Sequence, residues 1–259
     1  MDLTAHLTRM ATDSGASLVG VAPVERFDGA PQGHHPRNLL PGARSVLTFG
    51  MRILDRVMDW PALLPESACY PPEIRVEALR LMLYKKSGYD IINDHLSSLA
   101  LRLATHLEDL GYPSLFFPTT NTGLPEYLMS YPGLFSQRHA AVRAGLGEFG
   151  LNNVVVTAQY GPRIRWNSVL TTAPLTPSPP LAVKTCEGLG CQQCVKKCPV
   201  GALRSLPDAA EDRIWLLPAA RTDWDACRKS QATSDCMGRC LRVCPAGRSP
   251  DRGLTGQSA

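Results

Sequence analysis

Eight cysteines crowded toward the end of the chain constrain its fold more than any other feature. The segment TCEGLGCQQCVKKCPVGAL carries Cys186, Cys191, Cys194 and Cys198, the last followed by Pro199. Its core, C-x2-C-x3-C-P, is the pattern of bacterial 4Fe-4S binding, in which closely spaced thiolates wrap one face of a cubane and the cysteine before proline points away. A second set follows: Cys227, then Cys236, Cys240 and Cys244 in DCMGRCLRVCPAG, again closed by a proline, Pro245. Structural zinc is the alternative, but all-cysteine zinc sites usually show two C-x2-C knuckles separated by a longer loop. The two Cys-Pro endings favour iron and sulfur.

In two-cluster ferredoxins the cysteine before proline ligates the other cluster. That logic predicts one cluster on Cys186, Cys191, Cys194 and Cys244, and a second on Cys227, Cys236, Cys240 and Cys198. Two clusters so close together would form an electron wire. The ninth cysteine, Cys69 in ESACYPPE, reads as an inert packed thiol.

The same cysteines fit a reducing compartment, where disulfides are rare and clustered thiols point to metal. The N-terminus MDLTAHLTRMATDSGAS has an acid at position 2 and no basic region followed by an apolar run, so it does not read as a secretory signal. No apolar stretch approaches the ~18 to 20 residues of a membrane span. The expected location is the cytoplasm, with no membrane partner. Lys plus Arg, 27, exceed Asp plus Glu, 23, but no basic block concentrates the surplus, and no nucleic-acid partner is expected.

The proline-rich TAPLTPSPPLAV, residues 172–183, marks a boundary. The expected division is a substrate-binding domain over residues 1–180 and a two-cluster module over 181–259. In the first part an amphipathic helix precedes a strand, SLVGVAP, and a second strand, RSVLTFGMRI, follows a turn-rich loop. Helical spacing runs from Glu73 to Tyr84 and again from Asp90 to Leu110, with Leu96, Leu99, Leu103, Leu107 and Leu110 on one face. SLFFP reads as a strand and SQRHAAVRA as a short helix capped by Ser136. NVVVTAQYG and RIRWNSVLTTAPL read as two strands joined across Gly161-Pro162. The fold class is α+β.

Between that short helix and those strands, AGLGEFGLNNVVVT places Gly145, Gly147 and Gly150 at the G-x-G-x-x-G spacing of dinucleotide-binding proteins. A dinucleotide site needs strand, glycine turn and then helix, so that a pyrophosphate lies on a helix N-terminus. Here the order is helix, turn, strand. Residues 157–176 also contain no Asp or Glu to hold a ribose. The motif is therefore not read as a dinucleotide site.

The stretches GASLVGVAPVERF, HHPRNLLPGARSVLTFG and AAVRAGLGEFGLNNVVVTAQYGPRIRWNSVLTTAPL, with the double Cys-Pro module, resemble the epoxyqueuosine reductase and reductive dehalogenase superfamily. The resemblance runs from about Gly15 to Cys244. It implies a flavin-reductase-like or nitroreductase-like domain that binds base-off cobalamin, followed by a ferredoxin-like module whose two 4Fe-4S clusters reduce the cobalt. It also implies that the turn from Arg143 through Gly145, Gly147 and Gly150 lines the corrin. Asn152, Asn153, Tyr160, Arg163 and Ser168 would be partners for corrin amides or the nucleotide tail. An external donor such as ferredoxin or flavodoxin would supply the electrons.

Three departures shape the functional expectation. The first cysteine lies five positions before the second, where epoxyqueuosine reductases have C-x2-C, and Cys236 to Cys240 is widened by one. Only 15 residues follow Cys244, so the helical-repeat extension of many tRNA-modifying members is not expected. The strand that supplies their acidic proton donor, in a Val-Asp context, reads FFPTTNTG here, without a carboxylate. A reductive cleavage needs a general acid within hydrogen-bond reach. The remaining candidates are Tyr131, Tyr127, His139 and Glu126, tyrosine being the donor type of dehalogenases. The expected activity is that of a paralogue, a cobalamin-dependent reductase of a small molecule. The competing reading is an electron-transfer protein without cobalamin, whose N-terminal domain docks a partner or binds a flavin.

Overall fold

The structure, a computed structural model, describes residues 2–61, 71–120, 133–204, 222–233 and 236–248, except the side chains of 72, 73 and 231–233. Its strands are β1 (Leu18–Pro23), β2 (Ser45–Arg52), β3 (Ser114–Phe116), β4 (Glu148–Phe149), β5 (Val155–Val156) and β6 (Ile164–Thr171). Four of them form one antiparallel sheet in the order β1-β2-β6-β3, and β4 pairs with β5 in a separate ribbon. β2 is central and buried along all but its last residue, as a strand covered on both faces must be.

The pleat sends alternate side chains to opposite faces. Leu47, Phe49 and Val169 join one core with helix α1 (Leu3–Asp13), whereas Val46 and Leu170 join a second core with Phe27, Phe135 and Ala140. Short helices α2 (Pro36–Leu39) and α3 (Asp55–Met58) flank β2 in the chain. Next comes a continuous helical stretch: α4 (Pro72–Leu79), a π-helical segment (Arg80–Asp90), then α5 (Ile91–Asp109). The apolar periodicity lapses from Lys85 to Tyr89, yet the chain stays helical there by a wider winding. Gly88 makes this possible, since a Cβ on it would lie 2.9 Å from Val57. Leu96, Leu99, Leu103 and Leu107 form the expected buried stripe on α5. Leu110 departs from it: it caps the helix and is exposed, because the stripe ends with the helix.

Ser136 caps α6 (Gln137–Arg143) by accepting from the His139 amide. After it the two expected long strands are rearranged. Only Val155–Val156 is extended in the first, which pairs back with β4, while β6 pairs with β2 and β3. Thr157 and Gly161 close a tight turn on each other instead of a hairpin between the two strands. The module that follows holds α7 (Gln193–Lys196), α8 (Trp224–Thr233) and α9 (Arg239–Arg242). Among the described residues no helix is long and apolar enough to cross a membrane.

A buried guanidinium ties the stretch 241–246 to the end of the sheet. Arg163, 1% exposed, donates to the carbonyls of Leu241 (3.2 Å), Cys244 (3.0 Å) and Ala246 (2.6 Å), and its Nε lies 3.7 Å from Asp55. Gly161 lets the backbones meet: its φ is +54°, and a Cβ there would stand 2.0 Å from the Ala246 carbonyl oxygen. Leu241 packs with Ile53, Val57 and Met58 beside this contact.

Two substitutions test this architecture. Gly50 faces Trp166 across β2 and β6, and a Cβ on it would lie 2.6 Å from the indole ring. Gly50→Ala is expected to lower stability by about 1 to 3 kcal/mol, read as a lower urea midpoint at unchanged slope. Arg163→Gln orphans buried carbonyls and is expected to lose about 3 kcal/mol, with cysteine reactivity toward alkylation rising across 236–244. Unchanged reactivity there would show that the joint holds without the guanidinium.

Candidate functional site

The cysteines are carried by short turns and single helical turns. Cys186 enters after Thr185, and both backbone amides donate to Glu148 Oε1, the Cys186 one at 2.8 Å. Cys191 follows a 3-10 turn (Gly188–Gly190), and Gln192 takes a left-handed conformation, φ 54°, that turns the chain into α7 with Cys194. Gly238, φ +72°, does the same before α9 with Cys240, where Tyr84 fills the space of a Cβ at 2.6 Å. Cys227 lies on α8.

Four of the eight thiols share one cavity. Cys186, Cys191, Cys194 and Cys244 line a cavity of about 150 Å³, bounded on the domain side by Leu151, Asn152 and Val156. Burial, and then the nearby thiols of Cys186, Cys244 and Cys191, push the Cys194 thiol up to about 11. Cys240 is also shifted up, first by burial and then by Cys236, Cys227, Cys194 and Cys198. Cys244, which precedes a proline, thus stands with the thiols of the other run, while Cys198 and Cys194 both lie within electrostatic reach of Cys240. Among the described residues no three His, Cys, Asp or Glu side chains are grouped closely enough to hold one metal ion.

The residues expected to face a corrin are placed differently. Arg163 is the joint described above, and Ser168, fully buried, hydrogen bonds Thr48 Oγ1 at 3.0 Å. Ser168 faces protein because β6 is covered on both sides, and Arg163, just before β6, is turned to the carbonyls of 241–246. The glycine turn packs on the chain itself. A Cβ would meet the Pro179 carbonyl at 2.1 Å from Gly145, the Val156 carbonyl at 2.5 Å from Gly147, and Val156 Cγ2 at 2.7 Å from Gly150. The Gly150 position also lies 3.6 Å from Cys186 Sγ, so the turn abuts the first thiol group. Asn152 borders the thiol cavity. Asn153, at φ 57°, offers its carbonyl to Arg138 and its amide to Thr222 at 3.4 Å. Tyr160 is half-buried against Ala141, Val155 and Trp166, and the Arg143 carbonyl accepts from Arg26 at 2.9 Å.

Of the candidate acids, Tyr127, Tyr131 and Glu126 lie outside the described residues, as does Cys69. His139 Nδ1 is 2.6 Å from Ser136 Oγ, and its ring packs on Phe149 at 4.8 Å, a geometry that orients the imidazole.

A polar group that sequence reasoning missed lies beside the second thiol group. Tyr89, from the π-helical segment, has its hydroxyl 3.1 Å from Thr120 Oγ1 and its ring 4.1 Å below the Arg165 guanidinium. Arg165 Nε donates to Asn93 Oδ1 at 3.0 Å. Burial alone would raise the Tyr89 phenol, but Arg165, the Thr120 hydrogen bond and Lys85 together hold it below the ordinary value. Tyr84, one π-turn earlier, is shifted up by burial and by Cys240 and Cys236, although Arg165 opposes this. Arg138 on α6 is drawn down to about 10 by burial and by the charge of Arg165. The sequence signal for this group was the lapse in apolar periodicity around Tyr89.

No family model matches the chain. Epoxyqueuosine reductase of Bacillus cereus is 27% identical over 172 residues, 65% of this chain and 38% of that protein. Tetrachloroethene reductive dehalogenase of Sulfurospirillum multivorans is 30% identical over 118 residues, 40% of this chain and 22% of that protein. The matches thus span little more than a third of these relatives at most. Among solved structures, an epoxyqueuosine reductase with an epoxyqueuosine-modified tRNA stem loop superposes with a TM-score of 0.55 at 21% identity, over 77% of this chain and 52% of that one. A reductive dehalogenase whose structure suggests a mechanism for B12-dependent dehalogenation gives 0.61 at 17% identity, over 94% of this chain and 31% of that one. Both share the mixed helix and sheet fold. The chain is a homologue of the epoxyqueuosine reductases and the reductive dehalogenases.

Proposed function

We propose that the chain is an iron-sulfur oxidoreductase that delivers electrons to a reductive step on a small molecule. Residues 1–180 serve as the substrate domain, of flavin-reductase-like or nitroreductase-like kind, and 181–259 as a ferredoxin-like module. The observation that carries this reading is the cavity lined by Cys186, Cys191, Cys194 and Cys244, with Cys240 set within electrostatic reach of Cys236 and Cys227; this supports a second cluster to which Cys198 would add the fourth ligand. The donor set fits cubane clusters, since four thiolates are the usual ligands of a 4Fe-4S centre. When bound, such clusters supply one-electron transfer.

The protein around them has two unlike sides. Cys186, Cys191, Cys194 and Cys244 border a cavity, with Lys196 and Lys197 exposed beside them, a face suited to an acidic electron donor such as ferredoxin or flavodoxin. Cys240 instead packs with Tyr84 and Leu241 and is within electrostatic reach of Cys236, Cys227 and Cys198. On that inner side Tyr89 can hold and release a proton at its phenol oxygen. Thr120 fixes the hydroxyl, and Arg165 favours the phenolate that release would leave. Thr119 and Thr120 stand where an acid is missing from FFPTTNTG, so the proton-bearing group is displaced from the strand to the helix facing it.

The relatives point to cobalamin as the electron acceptor. The residues expected to line it do not fit that role here: Arg163 and Ser168 are engaged inside the protein, and protein atoms fill the Cβ positions of all three glycines. No step is assigned to a corrin. These same contacts favour, as a second reading, an electron-transfer protein whose N-terminal domain docks a partner or binds a flavin.

Protein produced anaerobically with cobalamin separates the readings. Iron and labile sulfide without zinc are expected. Corrin bands that survive gel filtration would make cobalamin the acceptor, and a cluster spectrum without corrin would favour the carrier. Cys198→Ala is expected to abolish the electron paramagnetic resonance of the cluster on Cys227, Cys236 and Cys240 and leave the other intact. The opposite loss would refute the exchanged arrangement.

A further inference from the structure

Arg138 on α6 and Arg165 on β6, two elements packed on each other, lie within electrostatic reach of each other, with no carboxylate paired to either among the described residues. Arg138 donates to the Asn153 carbonyl and lies 5.6 Å from the Trp224 ring; Arg165 has the Asn93 side chain and the Tyr89 ring as partners. Arg163, by contrast, has three carbonyls and Asp55 close by. Two like charges withdrawn from water in this way cost stability unless a counter-charge joins them. A second observation points the same way. Asn93 is 1% exposed, its Oδ1 is taken by Arg165, and its Nδ2 has no hydrogen-bond partner among the described residues, so a buried donor sits on the same carboxamide that orients the guanidinium. Arg138, Arg165 and Tyr89 each keep some exposure, which leaves a path from solvent.

We infer that Arg138 and Arg165, with Asn93 behind them, form an oxyanion site, and that its occupant is the carboxylate of the molecule this protein reduces. Guanidinium forks match carboxylate geometry in pairs of parallel hydrogen bonds, and a carboxamide N–H completes the set. The bound anion would lie next to the Tyr89 hydroxyl and on the side of the second thiol group. That places an acidic small molecule where a proton and electrons can both reach it. The assignment of the occupant rests on the reductase reading; the anion site itself does not.

Benzoate is a suitable probe, with inorganic phosphate for comparison, titrated calorimetrically into anaerobic full-length protein. Benzoate is expected to bind and to raise the melting temperature. Arg138→Gln and Arg165→Lys are each expected to weaken binding at least ten-fold with cluster absorbance unchanged, whereas Arg102→Gln, an exposed arginine near Ser14, leaves it unaltered. Equal binding by all four proteins would overturn the site. If cobalamin but not cobinamide, which lacks the nucleotide phosphate, displaces benzoate, the site belongs to a cofactor tail and the substrate assignment fails. Arg138-dependent binding in protein that holds no iron would sink the reductase reading and leave the anion site standing.

Discussion

The arrangement depends on one buried cation. The stretch 236–248 carries Cys236, Cys240 and Cys244, and some of its carbonyls are satisfied from outside it. Arg163 reaches three of them from the edge of β6. Because those carbonyls bracket Cys244, the guanidinium fixes the cysteine that leaves its own run to join Cys186, Cys191 and Cys194. Gly161 permits the approach that brings the two backbones together. Sheet, joint and thiol groups are thus one mechanical unit, and the direction of Cys244 follows from β6.

Much of the fold was legible because periodicity records which face is buried. The leucines of α5, the strands β1 and β2, and the Ser136 cap followed from spacing and residue type. That the cysteines come in two runs, each closed by Cys-Pro, is plain in the sequence itself. Side-chain direction was not. Arg163 and Ser168 have the polar chemistry expected of ligand-binding residues, yet nothing in RIRWNSV states that β6 is covered on both sides. The glycines of AGLGEFG tell the same story: the sequence demands close approach at 145, 147 and 150 but does not name the approaching atoms, which are those of Pro179 and Val156. The π-helical segment escaped because a wider winding erases the 3.6-residue rhythm on which such reading relies.

Comparison of the buried arginines separates scaffold from site. Arg163 is ringed by carbonyls and has Asp55 close by, as a structural cation should be. Arg138 and Arg165 have one backbone carbonyl and one carboxamide oxygen between them. A protein of modest stability keeps such an imbalance where a ligand relieves it.

The two tyrosines of the π-helical segment show how one fold can give the same side chain opposite roles. Tyr84 is enclosed against Gly238 and Cys240, where negative charge nearby would oppose ionisation, so its proton is held. Tyr89 lies five residues on, under a guanidinium, with its hydroxyl fixed by Thr120 and its proton eased. Like groups whose surroundings drive their pKa values apart are the usual mark of divided labour in a reactive site. Here Tyr84 packs against the thiol group and Tyr89 faces the proposed anion site. The winding that places both on one side of the helix, five residues per repeat, is the feature an ordinary α-helix could not supply.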